Sequence, residues 1–365
     1  MSPAKLPESL NAIPKLPYRR LGSSGLRVSP FIIGCAGYGS PEWADWAIPY
    51  EAAEPILKAA WDAGVQTFDT ANVYSNGESE KILGRFIREH DIPRHQVVVM
   101  TKIHMLTDDR PEFGYSRIGR SLDVSNYRDF QNNYGLSRTA IFNQVEASLR
   151  RLQMDYIDLL QIHRLDREVD KKEIMVALHD LVKSGKVRYI GASSMRAVEF
   201  AQLQHTAALN GLTQFVSMQS YYNLLNREDD NELNFYARET GVGLMPWSPL
   251  ARGALARLPP GPEDSSTMSR RQAMELEDPT YAITDIDRQV IRRVHEIAQK
   301  RGWTMAQVAF VWVKEKTTAP LVGVHSVDRL ADYLEAARGD WKLTEEEEAY
   351  LEELYQPKRR VFNSA

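Results

Sequence analysis

The sequence has a single cysteine, Cys35, in 365 residues. That excludes an intramolecular disulfide and any multi-cysteine metal cluster, and it fits a reducing compartment. The plainest reading of Cys35 is a small buried apolar residue. The eight histidines include no H-x-H or H-x-x-x-H pair, so a metal-dependent hydrolase would lack its ligand set and no metal is expected. No apolar run approaches a membrane span. Residues 1–16 hold no signal-peptide core, and the final Asn363-Ser364-Ala365 matches no common retention or anchoring signal. Neither sign of charge prevails: 45 Lys and Arg stand against 49 Asp and Glu, a formal net charge of −4, which gives no dominant attraction to nucleic acid. The expectation is a cytoplasmic chain without nucleic-acid or membrane partners. A nucleotide fingerprint is also missing. Gly34, Gly37 and Gly39 space as G-x-x-G-x-G, and no true G-x-G-x-x-G joins a strand to a helix.

What is present is a composition of 43% hydrophobic and 26% charged residues, that of a soluble globular protein. The length suits two ordinary domains or one large α/β barrel. After an opening hairpin at 18–28, with Gly22-Ser23-Ser24-Gly25 as its turn, one theme repeats: a short apolar run, then an amphipathic stretch. The apolar runs are 31–35, 65–71, 97–103, 156–163, 187–192, 215–222, 243–247 and 319–324. The stretches after them, at 51–62, 78–90, 137–152, 171–183, 197–207, 229–239, 286–300 and 327–337, have helical spacing. Ser137 suits an N-cap, and Gly64 and Gly185 suit helix ends. Strands so uniformly apolar have no wet face, which points to a closed parallel (β/α)8 barrel rather than two domains. The expected organisation is an extension at 1–17, one barrel domain at 18–355 and a tail at 356–365. Extra helices at 304–316 and 344–355 are expected to pack outside the ring. The long connections 39–50, 105–136 and 250–285 all follow strands and so open onto the face where such barrels place their chemistry.

Asp69, Tyr74, Lys102 and His163 lie at or just beyond the ends of three successive runs. A free tyrosine has a pKa near about 10 and is a poor acid at neutral pH unless a cation stabilises its phenolate. Lys102 supplies such a cation. A lysine emerging from an apolar strand needs a counter-charge in turn, and Asp69 on the neighbouring strand provides one. His163 closes the set as a donor to a carbonyl oxygen or a second proton carrier. Each alone reads as an ordinary loop aromatic, surface cation or strand-end histidine. Together at one barrel end they read as an acid site for reducing a carbonyl, which implies a small-molecule carbonyl substrate.

Phe68-Asp69-Thr70-Ala71 with Tyr74 and Gly77-Glu78-Ser79-Glu80 resembles the signature of the aldo-keto reductases. Further matches follow in the family's order: Thr101-Lys102, Gln161-Ile162-His163, the segment 186–193, Gln219 with Tyr222-Asn223, and Trp247-Ser248-Pro249-Leu250. Tyr18-Arg19-Arg20-Leu21-Gly22 with Ser24-Gly25-Leu26 resembles the aryl-alcohol dehydrogenase-like and potassium-channel β-subunit-like branches. The resemblance implies a TIM barrel with an N-terminal β-hairpin and with extra helices and long loops at the C-terminal face. It also implies a nicotinamide dinucleotide lying across that mouth.

By the same resemblance, Gly34 lies at the cofactor site. Ser193, Ser194 and Gln219 would bond the nicotinamide carboxamide, although Gln219 equally suits a structural hydrogen bonder. Trp247 would stack on the ring. Ser248, Leu250 and Arg252 would line the pyrophosphate, with Arg252 as a solvated loop cation the alternative. Gly323, His325, Ser326 and Arg329 resemble a site for the adenosine 2′-phosphate, which favours NADPH/NADP+; capping by His325 and Ser326 is the other reading. Asp332 and Tyr333 would complete the cofactor set at the adenine, where they depart from the family's Glu-Asn, as Ser193-Ser194 departs from Ser-Asn. Apart from the resemblance, Trp43 and Trp46 after the first strand, with Tyr115, Tyr127, Phe130 and Tyr134 in the third loop, suit an aromatic mouth for a bulky or aromatic carbonyl; core or loop packing suits each of them equally. The implied reaction is NADPH-dependent reduction, reversible as alcohol oxidation. The alternative is a nicotinamide-binding regulatory or redox-sensing protein with little turnover.

Overall fold

The computed structural model describes residues 15–108, 126–258 and 282–358. Tyr115, most of the expected N-terminal extension and most of the C-terminal tail lie outside these residues. So do parts of the connections 105–136 and 250–285.

The chain opens with an antiparallel pair, β1 (Arg19–Arg20) and β2 (Arg27–Val28). Its turn fits against the barrel floor. Gly22, at φ +59, sits so close to the chain that an added Cβ would meet the Gly241 carbonyl oxygen at 2.2 Å. Only glycine suits that backbone at that distance. Leu21 and Val28 enter the small apolar cluster inside the barrel with Ile32, Met100, Leu159 and Met245. The hairpin thus plugs the N-terminal end.

Eight parallel strands follow: β3 (Ile32–Gly34), β4 (Thr67–Asp69), β5 (Val98–Ile103), β6 (Ile157–Ile162), β7 (Val187–Ser193), β8 (Ser217–Gln219), β9 (Gly243–Leu244) and β10 (Leu321–Val322). Their order in the sheet is β10-β3-β4-β5-β6-β7-β8-β9. Parallel bridging of Trp247 with Leu321, and the bond from the Leu321 amide to the Pro246 carbonyl at 2.8 Å, join the last strand to β9 and close the ring. The expected (β/α)8 barrel is the fold.

Helices α1 (Tyr50–Asp62), α2 (Glu78–Glu89), α3 (Arg138–Leu152), α4 (Lys171–Lys183), α5 (Ala197–Leu209) and α6 (Leu233–Thr240) follow successive strands. Ser137 caps α3 by accepting from the Ala140 amide, and Asp170 caps α4. After β9 come α7 (Asp285–Arg301) and α8 (Met305–Lys316), and after β10 come α9 (Val327–Arg338) and α10 (Glu345–Glu352). Helix α8, expected as an addition outside the ring, packs outside the strands as an integral member of the helix layer. Its residues are buried almost without interruption, with Phe310 against Phe31 of the β3 segment and Trp312 stacked on Tyr222. A helix apolar on every side is a core helix. No helix among the described residues is long and apolar enough to cross a membrane.

The helix layer is packed closely at α2 and α3, where a Cβ on Gly84 would lie 2.3 Å from the Leu152 carbonyl oxygen. Gly84→Ala is expected to lower the unfolding free energy by about 1–3 kcal/mol in chemical denaturation. Unchanged stability would contradict that approach.

Candidate active site

Parallel register decides which side chains meet. Gly34 pairs with Asp69, Lys102 with Gln161, Gln161 with Gly191, and Ser193 with Gln219. These residues form one inward layer at the C-terminal ends of the strands, where side chains alternate between core and helix faces. In that layer Lys102 is fully buried and Asp69 is 1% exposed. The Lys102 ammonium makes a short ion pair with Asp69 Oδ2. It also donates to the Thr70 carbonyl at 2.9 Å and to the Tyr74 hydroxyl at 3.4 Å. All three ammonium protons therefore have acceptors, the condition under which a charge survives burial.

The other carboxylate oxygen, Asp69 Oδ1, accepts from Gln161 Nε2 at 2.8 Å and from Gln219 Nε2 at 3.1 Å. Gln219 Nε2 also donates to Gln161 Oε1 at 2.8 Å. An ionised carboxylate only accepts, so it orients both amides with nitrogen inward.

Tyr74 opens a 3-10 turn, Tyr74–Gly77, in which Ser75, Asn76 and Gly77 have φ of 51°, 53° and 89°. Three successive left-handed residues, two of them not glycine, form a strained segment held by its surroundings. Ser75 Oγ accepts from the Ser40 amide at 2.8 Å. A Cβ on Gly39 would lie 2.2 Å from that of Ser75. Below the turn, buried Glu80 accepts from Thr101 Oγ1 and from Arg151 Nε. The turn is therefore fixed from the loop after β3, from β5 and from α3.

The Tyr74 and His163 rings meet edge to face with centroids 5.7 Å apart. All four residues expected at the site are thus brought together. One expectation is corrected, that of a phenol more acidic than free tyrosine. Although Tyr74 keeps some exposure at the mouth, burial pushes its pKa up, Lys102 pulls it back, and the net direction is up. Lys102 is depressed by burial, but Asp69 and Tyr74 raise it further, so it stays a cation. His163 is held well below the ordinary histidine value, first by burial and then by Arg164, Lys102 and His104. It is neutral at neutral pH, and its Nδ1 is buried with no partner among the described residues. Cys35 is buried, with its thiol pushed up by burial, as suits an inert core residue.

On the other side of the mouth, Ser193 Oγ donates to the Gln219 carbonyl at 2.8 Å, and Trp247 Nε1 donates to Ser194 Oγ at 3.3 Å. The Trp247 and Tyr221 rings lie 4.6 Å apart. Beyond Trp247 the backbone turns left-handed at Ser248, Ala251, Arg252 and Gly253, and the Ser248 carbonyl accepts from Asn223 Nδ2 at 3.1 Å. Leu250 N-caps the 3-10 segment Ala251–Ala256. The turn is held from within, the Ala251 amide donating to the Ser248 carbonyl and the Gly253 amide to the Leu250 carbonyl, each at 2.9 Å. Near β10, a Cβ on Gly323 would meet nothing within 4 Å. The His325 ring reaches Gly37, Ser326 caps α9 by accepting from the Arg329 amide at 3.4 Å, and Arg329 is exposed at that helix start. These groups fit a dinucleotide: an aromatic face at one side and a helix N-terminus with an arginine in its first turn at the other.

Tyr333 is placed elsewhere. Its ring is buried against Phe31 and Phe310. Asp332 accepts from Thr304 at 3.5 Å and faces α8. Trp43 and Trp46 meet edge to face at 5.4 Å. Tyr127 is exposed and its ring lies 6.4 Å from that of buried Phe130.

Two groups near the tetrad had no assigned role in the sequence reading. Gln161 was part of a motif only, although alternation along β6 puts Leu159, Gln161 and His163 on one face. His104, following β5, has a φ of 138° and a buried Nδ1 with no partner among the described residues, and burial lowers its pKa to about 4.

Among known proteins, the sequence pattern described as the Aldo/keto reductase family matches residues 31–356. "Aldo-keto reductase dtxS3" of Metarhizium robertsii is 49% identical over 361 residues, 98% of this chain and 95% of that protein. "Versiconal hemiacetal acetate reductase" of Aspergillus parasiticus is 45% identical over 348 residues, 93% of this chain and 97% of its own. "Putative aryl-alcohol dehydrogenase AAD16" of Saccharomyces cerevisiae is likewise 45% identical, with the same shares covered.

Removing one member of a buried ion pair strands the other. Lys102→Met is expected to cost about 3–5 kcal/mol in denaturant unfolding, with most of it recovered by adding Asp69→Asn; equal stability of Lys102→Met and wild type would contradict the pairing. A second expectation concerns acid. His163 and His104 stay neutral in the fold while the unfolded chain binds protons below about 6.5. Stability is therefore full above that pH and declines as pH falls toward the value of about 4 at which His104 itself titrates. His104→Gln should flatten part of the decline in a pH series of unfolding curves.

Proposed function

The chain belongs to the aldo/keto reductase family, and on that premise we propose that it reduces an aldehyde or ketone with NADPH, using Tyr74 as the general acid. Family and relatives support carbonyl reduction as the reaction class. The observation that carries the finer reading is the Lys102 ammonium held between Asp69 and the Tyr74 hydroxyl.

When bound, reduced nicotinamide would supply a hydride for the carbonyl carbon. The remaining work falls to the chain. Tyr74 keeps its proton through the neutral range, because burial outweighs Lys102, and gives it to the carbonyl oxygen as negative charge develops there. Lys102 stabilises the phenolate that remains. Burial keeps His163 neutral, so it donates an N–H to the same oxygen instead of carrying a second proton. In alcohol oxidation the Tyr74 phenolate is the base.

Residues that would hold the cofactor are Gly34, Ser193, Ser194, Gln219, Trp247, Ser248, Leu250, Arg252, Gly323, His325, Ser326 and Arg329. Gln219 would meet the carboxamide through Oε1, since both its N–H bonds go to Asp69 and Gln161. Trp247, braced by Tyr221 and Ser194, would cover one ring face. Arg329 with the α9 start would take a 2′-phosphate. Trp43 and Trp46 fit an aromatic or bulky substrate. Relatives named for an aryl alcohol and for versiconal hemiacetal acetate support that class. Asp332 and Tyr333 are dropped from the cofactor set, because one faces α8 and the other is in the core.

The test follows absorbance of the reduced cofactor with aromatic aldehydes, aliphatic aldehydes, quinones and sugars. Tyr74→Phe is expected to lose about 10²–10⁴ in kcat with NADPH binding kept. NADPH binding without carbonyl-dependent consumption would overturn the proposal in favour of a redox sensor. Arg329→Met is expected to weaken NADPH by roughly ten- to a hundredfold and leave NADH unchanged. Equal loss for both cofactors would remove the 2′-phosphate assignment.

A further inference from the structure

We propose that Gln161 is a positioning residue that sets the proton affinity of Tyr74 through Asp69, an inference that deepens the reading of Tyr74 as the acid. Gln161 is fully buried and is the register partner of Lys102 on β6. It donates to Asp69 Oδ1 at 2.8 Å and accepts from Gln219 at 2.8 Å, so both ends of its amide are used inside the barrel layer. Space for it comes from Gly191 on β7, where a Cβ would lie 3.2 Å from Gln161 Cγ.

The charged groups facing Tyr74 are Lys102 on β5, which lowers its proton affinity, Asp69 on β4, which raises it, and Arg164 after β6, which lowers it. Neutral His163 meets the ring edge. The Asp69 charge is partly offset by the two amide N–H donors, which are dipoles with their positive ends on Oδ1. Gln161 also orients Gln219, because the second N–H of Gln219 ends on Gln161 Oε1. Removing Gln161 leaves Asp69 with a stronger uncompensated field at Tyr74. That stronger field makes the phenol hold its proton more tightly.

The experiment labels the chain with 3-fluorotyrosine, which titrates at lower pH than tyrosine, and follows the Tyr74 resonance by fluorine NMR. Tyr74→Phe identifies that resonance. Gln161→Leu is expected to raise the Tyr74 midpoint by about one pH unit. Gln161→Glu has nearly the same shape and can donate only while protonated. It should follow wild type at low pH and depart upward as the new carboxyl ionises. A merely structural role would shift neither midpoint while lowering thermal stability, and that result would overturn the proposal. Should Gln161→Leu fail to fold, the Gln161→Glu titration decides alone, and a curve parallel to wild type rejects the role. The readout needs no turnover. A wild type that reduces no carbonyl yet shows these shifts would sink the functional reading and leave the Gln161 assignment standing.

Discussion

A lysine ammonium and an aspartate carboxylate, buried together in the upper layer of the barrel, are the constraint around which the site is arranged. Removing two such charges from water costs several kcal/mol each, and their attraction offsets this only if every remaining hydrogen-bonding site is also met. Here that requirement is met by the Thr70 carbonyl and Tyr74 hydroxyl on the ammonium, and by Gln161 and Gln219 on the carboxylate. Four strands, β4, β5, β6 and β8, therefore converge on one ion pair. The pair is a poor source of stability and a good means of placing a cation beside a phenol.

The surrounding fold holds this arrangement rigid. Beneath it lies an apolar layer plugged by the hairpin through Leu21 and Val28. At its side, Tyr74 stands on a turn whose left-handed residues are held by Ser40, Gly39 and the buried Glu80–Arg151 pair. Strain of that kind persists only where neighbours over-determine the backbone. At the mouth, Trp247 and the start of α9 provide an aromatic face and donors suited to a dinucleotide. That explains how a chain without the glycine-rich fingerprint has a site that suits one.

Much of this was legible in the sequence, because strand and helix periods differ and each apolar run is followed by its helix. The run at 97–103 is β5 to within a residue, and Ser137 caps α3 as its side-chain chemistry implies. The tetrad was legible because charged residues at the ends of apolar strands need one another. Sequence reasoning failed where a role depends on three-dimensional competition. The acidity of Tyr74 was expected to follow Lys102, yet burial outweighs that cation. Asp332 and Tyr333 carried a family position, yet Tyr333 fills a gap between Phe31 and Phe310. Helix α8 was read as an addition because it exceeded the repeat, although its all-round apolar character marked it as core. Gln161 sat in a quoted motif without a function, and only its alternation with His163 along β6 hinted that it faces the same layer.

The central claim is that the Lys102 charge acts on Tyr74. It is tested most directly by the pH dependence of alcohol oxidation in wild type and Lys102→Met, where the rate rises as the Tyr74 phenolate forms. The account predicts a midpoint displaced to higher pH in the variant, in addition to any loss of rate. A reduced rate with an unchanged midpoint would contradict it.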